Sequence, residues 1–187
     1  RGTLSPEAYT ELVKGLLCLP EKVGQALLAE PAIQRLSGEQ FNQRDVFFMG
    51  RGLDYPATLE SALKLKEISY IHCEALAAGE LKHGTIALIE EGVPVVVVAT
   101  QPALLEKLVS NILEVKARGA YVICFASQSC AEVQKVADET VLLPDAGDYL
   151  SPMVSIIPAQ MFAYYCAVLR GLDPDKPRNL AKSVTVE

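Results

Sequence analysis

Pro94-Val-Val-Val-Val-Ala99, a helical stretch from Ala103 to Arg118 stopped at Gly119, and then Ala120-Tyr-Val-Ile-Cys-Phe-Ala126 carry the fold class of this chain. A run of four valines is β-branched throughout and too short for a helix, so it reads as a strand buried on both faces. The intervening helix is long enough to cross back over a sheet, and Gly119 is a good stop for it. A strand, a crossover helix and a second strand imply parallel pairing with right-handed connections. Working outward, Val46-Phe-Phe-Met49 reads as an earlier strand, closed by the turn Gly50-Arg-Gly52 and followed by a helix over Asp54 to His72. Downstream, Cys130 to Ala137 reads as a short helix, Thr140-Val-Leu-Leu143 as a strand, and Pro152 to Arg170 as a long apolar helix. The expected fold is α/β, a three-layer αβα sandwich around a parallel sheet.

Ahead of the sheet, Glu7 to about Glu30 has apolar residues at helical steps, with Pro20 expected to end one helix and open the next. A polar stretch, Ser37 to Asp45, then leads into the first strand. Three regions follow from this layout: 1–35, an N-terminal helical segment; 36–172, the αβα domain; and 173–187, a tail whose prolines forbid a continuing helix.

The chain has 187 residues, half of them apolar and 21% charged, enough for one domain with a real core. A net charge of −6 argues against non-specific nucleic-acid binding, although a locally positive site remains compatible with a phosphorylated substrate. Five scattered cysteines without a CxxC pair point to neither a zinc site nor a disulfide framework, and a reducing cytoplasm is the simplest location. The first twenty residues lack a secretory signal. Met153 to Leu169, interrupted by Pro158 and Gln160, reads as a buried helix or a subunit interface rather than a membrane span. Beginning at Arg1, the chain is expected to be a piece of a longer protein.

Three segments carry chemistry. In Leu59-Glu-Ser-Ala-Leu-Lys-Leu-Lys-Glu67, the side chains of Glu60, Lys64 and Glu67 fall within an arc of roughly 60° at about 100° per residue. Leu59, Ala62, Leu63 and Leu65 occupy the other side. Such a stripe is usually a solvated face with weak ion pairs. Its helix follows the first strand of an αβ sheet, however, and ligands in such sheets bind at the carboxyl ends of strands, where the helices begin. Gly79-Glu-Leu-Lys-His-Gly84 is a tightly turned segment offering His83 as a proton shuttle near neutral pH; His72 reads as structural. In the ending Pro177-Arg-Asn-Leu-Ala-Lys-Ser-Val-Thr-Val-Glu187, the apolar Leu180, Val184 and Val186 could dock the tail and carry Lys182 into a pocket. Desolvation there would favour its neutral, nucleophilic amine.

These three segments, in this order, resemble the isomerase half of the glutamine–fructose-6-phosphate aminotransferase family, the glucosamine-6-phosphate synthases. The resemblance runs from Gly50-Arg-Gly52 to Glu187 and is densest in Glu60–Glu67, Gly79–Gly84 and Pro177–Glu187. Family members carry a glutaminase domain followed by two sugar isomerase (SIS) domains, and this chain resembles the second of them with its tail. The resemblance implies that Lys182 forms an imine with the C2 carbonyl of open-chain fructose 6-phosphate. It gives His83 a role in ring opening, at the site of a neighbouring subunit of a homodimer. Glu67 would carry the proton between C1 and C2, Lys64 and Glu60 would place and polarise sugar oxygens, and Ala181 would contact substrate through its backbone.

Departures from the pattern bear on what one SIS domain could do alone. No N-terminal cysteine nucleophile is present, since residue 1 is Arg. The Ser/Thr-rich phosphate loops belong to the family's first SIS domain; here Thr100-Gln-Pro102 has no serine cluster and Ser127-Gln-Ser129 reads as an ordinary loop. Gly50-Arg-Gly52 lacks the third glycine of a dinucleotide fingerprint, and no cofactor or metal is called for. An isolated chain of this kind is expected to fold but to be nearly inactive. The rival readings are a non-catalytic sugar-phosphate-sensing SIS domain, a ketosamine deglycase-like enzyme, and a dimer scaffold.

Overall fold

A computed structural model describes residues 3–179. Its core is a five-stranded parallel sheet in the order β2-β1-β3-β4-β5. The strands are β1 (Asp45–Gly50), β2 (His72–Ala77), β3 (Pro94–Ala99), β4 (Tyr121–Ser127) and β5 (Glu139–Leu143), and the helices are α1 (Pro6–Leu27), α2 (Glu30–Gln40), α3 (Asp54–Ser69), α4 (Leu105–Lys116) and α5 (Ser151–Leu169). The valine run forms the central strand, buried along its whole length. Pleating sends alternate side chains to opposite faces. Val46, Phe48, Val96, Ile123 and Phe125 therefore pack with α2, α3 and α5. Phe47, Met49, Val95, Val97 and Cys124 pack with α4 and with the 3₁₀ turns after β2 and β4. This is the three-layer αβα sandwich expected from the sequence.

Several local expectations change. The sheet gains β2 at an edge, paired in parallel with β1 from Asp45–His72 to Gly50–Ala77. The helix before it ends at Ser69 rather than His72 because Tyr70 takes a left-handed conformation (φ 60°) and caps it. Pro20 does not divide the first helix, which runs unbroken to Leu27; the break comes at Leu28-Ala29, and Pro31 instead sits in the first turn of α2, where a missing N–H costs nothing. Ser37 is no linker residue but lies buried in α2, its hydroxyl donating to the Phe162 carbonyl.

The α3 face is also rearranged. Leu59 and Leu63 are exposed, and the buried side is Ala57, Thr58, Ser61, Ala62 and Leu65. Small residues at these steps let α3 approach α5 and the sheet closely, leaving no room for two more leucines. Helix α5 is long and apolar enough to cross a bilayer by composition. Its Val154, Ala159, Phe162 and Cys166 nevertheless lie in the main core, so it is packed as a core helix. Cys73, Cys124 and Cys166 are buried thiols pushed up to about 12 by desolvation, small hydrophobes in practice.

Candidate active site

The order 2-1-3-4-5 reverses between β1 and β3, and in open α/β sheets ligands bind outside the strand ends at such a point. Here that point is filled by the protein itself. Gly50 allows it: a Cβ at residue 50 would lie 2.8 Å from the carbonyl carbon and oxygen of Asp54, so only glycine lets the start of α3 come this close. Asp54, 1% exposed, reaches across to the end of β3 and accepts the Thr100 N–H at 2.8 Å and the Thr100 hydroxyl. Burial pushes its carboxyl up to about 6, against the pull of those two bonds, with Asp148 adding to the rise.

The stripe predicted from the sequence does assemble, but elsewhere. At 1.5 Å per residue, Glu60 lies about 9 Å and Glu67 about 20 Å along α3 from Asp54. The stripe thus runs down the flank of the helix, away from the strand ends to which the topological argument assigned it. Lys64 Nζ sits between the two carboxylates, 2.7 Å from Glu67 Oε2 and 3.5 Å from Glu60 Oε1. The side chains of Lys64 and Glu67 are 33% and 27% exposed, so the cluster is half-sheltered and open on one side. The bond to Glu67, chiefly, raises the Lys64 pKa despite partial burial. Lys64 therefore stays an ammonium at neutral pH: it can polarise an oxygen but is a poor nucleophile.

His83 lies at the end of the 3₁₀ turn Ala78–His83, as the two bracketing glycines implied. Ala78 and Leu81 anchor that turn in the core on the α4 face, whereas α3 packs on the other face. The structure does not bring His83 to the Glu60–Lys64–Glu67 stripe. Its side chain is 74% exposed, with Glu80 Oε2 3.9 Å from Nε2. His72, read as structural, pairs with Asp45 across β1 and β2 at 2.8 Å. Lys182 and Ala181 lie outside the described residues.

One site feature had no signal in the sequence. Where the described chain approaches its end, the Arg178 N–H donates to the Tyr70 hydroxyl at 2.7 Å, and the Arg178 guanidinium stacks on the Tyr70 ring, 4.1 Å from its centre. Tyr70 is the left-handed cap of α3, one turn beyond Glu67. The start of the tail is thereby seated at the Glu67 end of the stripe. Among the described residues no group of His, Cys, Asp or Glu is arranged to hold a metal ion.

Comparison with known proteins defines the class: the sequence profile of the SIS domain matches residues 41–170, and the chain belongs to the SIS domain family. Over its whole length it is 52% identical to the glutamine–fructose-6-phosphate aminotransferase (isomerizing) of Caldanaerobacter subterraneus subsp. tengcongensis. The chain spans about a third of the length of the curated relatives it matches, 31% in that case. Among solved structures, the C-terminal domain of glucosamine-fructose-6-phosphate aminotransferase from Francisella tularensis superposes with a TM-score of 0.87 at 36% identity, over 93% of this chain and 49% of that one. A glucosamine-6-phosphate deaminase from Thermotoga maritima gives 0.68 at 28% identity, over 96% of this chain and 50% of that one. The family resemblance read from the three segments is borne out.

Proposed function

We propose that this chain is the second SIS domain and catalytic tail of a glutamine–fructose-6-phosphate aminotransferase. The parent would convert fructose 6-phosphate and glutamine-derived ammonia to glucosamine 6-phosphate, for amino-sugar synthesis in the cytoplasm. Residues 1–35 lead in from an upstream SIS domain, 36–172 form the domain, and 173–187 are the tail; a glutaminase domain lies further upstream and the enzyme is a homodimer. The observation that carries this reading is the seating of Arg178 on Tyr70. Tyr70 lies one turn beyond Glu67, so the described part of the tail ends beside the Glu67 end of the stripe, three residues before Lys182 in the sequence.

In this reading the neutral Lys182 amine adds to the C2 carbonyl of open-chain fructose 6-phosphate and water leaves as the C=N bond forms. Ammonia displaces the lysine at C2. Glu67 then takes a proton from C1 and returns one to C2, so that the C2 imine becomes an amine and the C1 alcohol becomes the aldehyde. The Lys64 ammonium stabilises the oxyanion-like charge that develops on the sugar, and Glu60 keeps Lys64 aimed. His83, projecting from the opposite face, assists ring opening in the partner subunit's site. Ala181 lines the substrate through its backbone. With Asp54 filling the switch point, the phosphate is held by the upstream SIS domain, and the isolated chain is nearly inactive. Identity of 52% over the whole chain favours this over a deaminase or deglycase, which draws on one structural relative at 28%.

The test is turnover of fructose 6-phosphate deuterated at both C1 positions by the parent enzyme. One deuterium should leave C1, with a slowed rate, and Glu67→Gln should lose turnover while folding normally. An active Glu67→Gln enzyme would remove the base from the scheme.

A further inference from the structure

The 3₁₀ turn that carries His83 meets one polar chain that runs through α4 at two points, by close approach at Gly79 and by an ion pair at Lys82. At its first end the Arg51 guanidinium passes close over Gly79, where an added Cβ would lie 3.3 Å from Nη1 and 3.6 Å from Nη2. Arg51 Nη1 in turn donates to Asn111 Oδ1 at 3.0 Å. Asn111 is only 6% exposed and passes the connection on, its Nδ2 donating to Glu114 Oε2 at 3.5 Å. At the far end Lys82 Nζ lies 2.7 Å from Glu114 Oε1, next in sequence to His83. The lysine, more than any other group, holds the Glu114 carboxyl below its ordinary range, which keeps the pair ionised at neutral pH. A His side chain 74% exposed gains nothing from its own packing, so its direction is set by what holds the backbone beneath it.

We infer that Asn111 and Glu114 on α4 are positioning residues for His83, acting through Arg51 at Gly79 and through Lys82. This rests on the role of His83 in ring opening proposed above. A misplaced proton donor costs only the step it serves, so loosening the chain should slow ring opening and leave proton transfer at C1–C2 intact. The two steps separate with substrate. Fructose 6-phosphate must open before reacting, whereas 5-deoxyfructose 6-phosphate lacks the hydroxyl that closes the furanose ring.

The experiment compares wild type, His83→Ala, Glu114→Gln and Lys82→Gln in the parent enzyme on both substrates, with unfolding midpoints alongside. Lys82 is 60% exposed, so its variant tests the same link without disturbing packing. The expected result is a roughly 10- to 100-fold loss of kcat on fructose 6-phosphate for each α4-link variant, and wild-type turnover of the acyclic analogue. His83→Ala should show the same split. Equal losses on both substrates would mean the chain is merely structural, and no loss on either would also overturn the inference. A wild type that turns over neither substrate would bring down the functional reading itself, and this inference with it.

Discussion

At its first turn α3 is closed and fully satisfied: Asp54 is buried, bonded twice to Thr100 and pinned across the strand ends by the close approach at Gly50. Two to four turns further on, the same helix turns Glu60, Lys64 and Glu67 outward, half-sheltered and, among the described residues, paired with one another. The strand-end position that ligands usually take in such sheets is occupied by Asp54 and Thr100, and in the proposed function the chemistry lies instead on the flank of the helix, toward the end where Arg178 meets Tyr70. Under the proposed function such a domain would supply reacting groups to a site completed by other domains; the chain spans about a third of the length of its relatives.

Substitutions at the two ends of α3 and at its cap should separate these roles. The largest effect is expected on the flank and in rate, not stability. Lys64→Met should cut turnover of the parent enzyme by roughly 10²- to 10³-fold, the cost of removing one charge-stabilising donor. Its unfolding free energy should stay within about 0.5 kcal/mol of wild type, because a partly exposed pair contributes little; a large stability loss would erase the distinction between the two ends.

The next effect lies at the closed end and in its pH dependence. The folded-state value of Asp54, about 6, lies above its ordinary 3.8. The folded protein therefore keeps a proton that the unfolded chain releases, and this contribution is complete below about pH 4 and lost as pH rises through about 6. Asp54→Asn should remove it. The stability of the variant relative to wild type should improve by up to about 3 kcal/mol between pH 4 and 7, read from denaturant midpoints. Asp54→Ala should behave differently, losing about 1.5–3 kcal/mol at neutral pH by leaving the Thr100 donors buried without an acceptor. The smallest effect belongs to the tail. Arg178→Ala should cost about 0.5–1 kcal/mol through the lost stacking on Tyr70, with a modest fall in kcat of the parent enzyme.

The sequence was most legible where side chains are buried on both faces. The valine run of β3 and the apolar β4 could be nothing but strands, and together with the crossover helix they fix the layers. Edge strand β2 was hidden because His72-Cys-Glu-Ala-Leu-Ala77 has no β-branched residue and only partial burial to pattern it. Pro20 misled because its ring faces outward on a helix that loses one hydrogen bond and keeps its packing. Helical period placed Glu60, Lys64 and Glu67 on one face, where they pair. The contact between Tyr70 and Arg178 spans 108 residues and leaves no local trace. Asp54 read only as the first residue of a helix, and the three-dimensional approach to Thr100 shows that it closes the switch point.

In the proposed reaction the amine nucleophile is Lys182 of the tail and not Lys64, which is held as an ammonium between two carboxylates. The most direct test is borohydride trapping of fructose 6-phosphate on the parent enzyme and on this chain alone, with the adduct mapped by mass spectrometry. An adduct at Lys182, formed in the parent and scarcely in the isolated chain, is the predicted result. Labelling at Lys64, or no adduct in either, would contradict it.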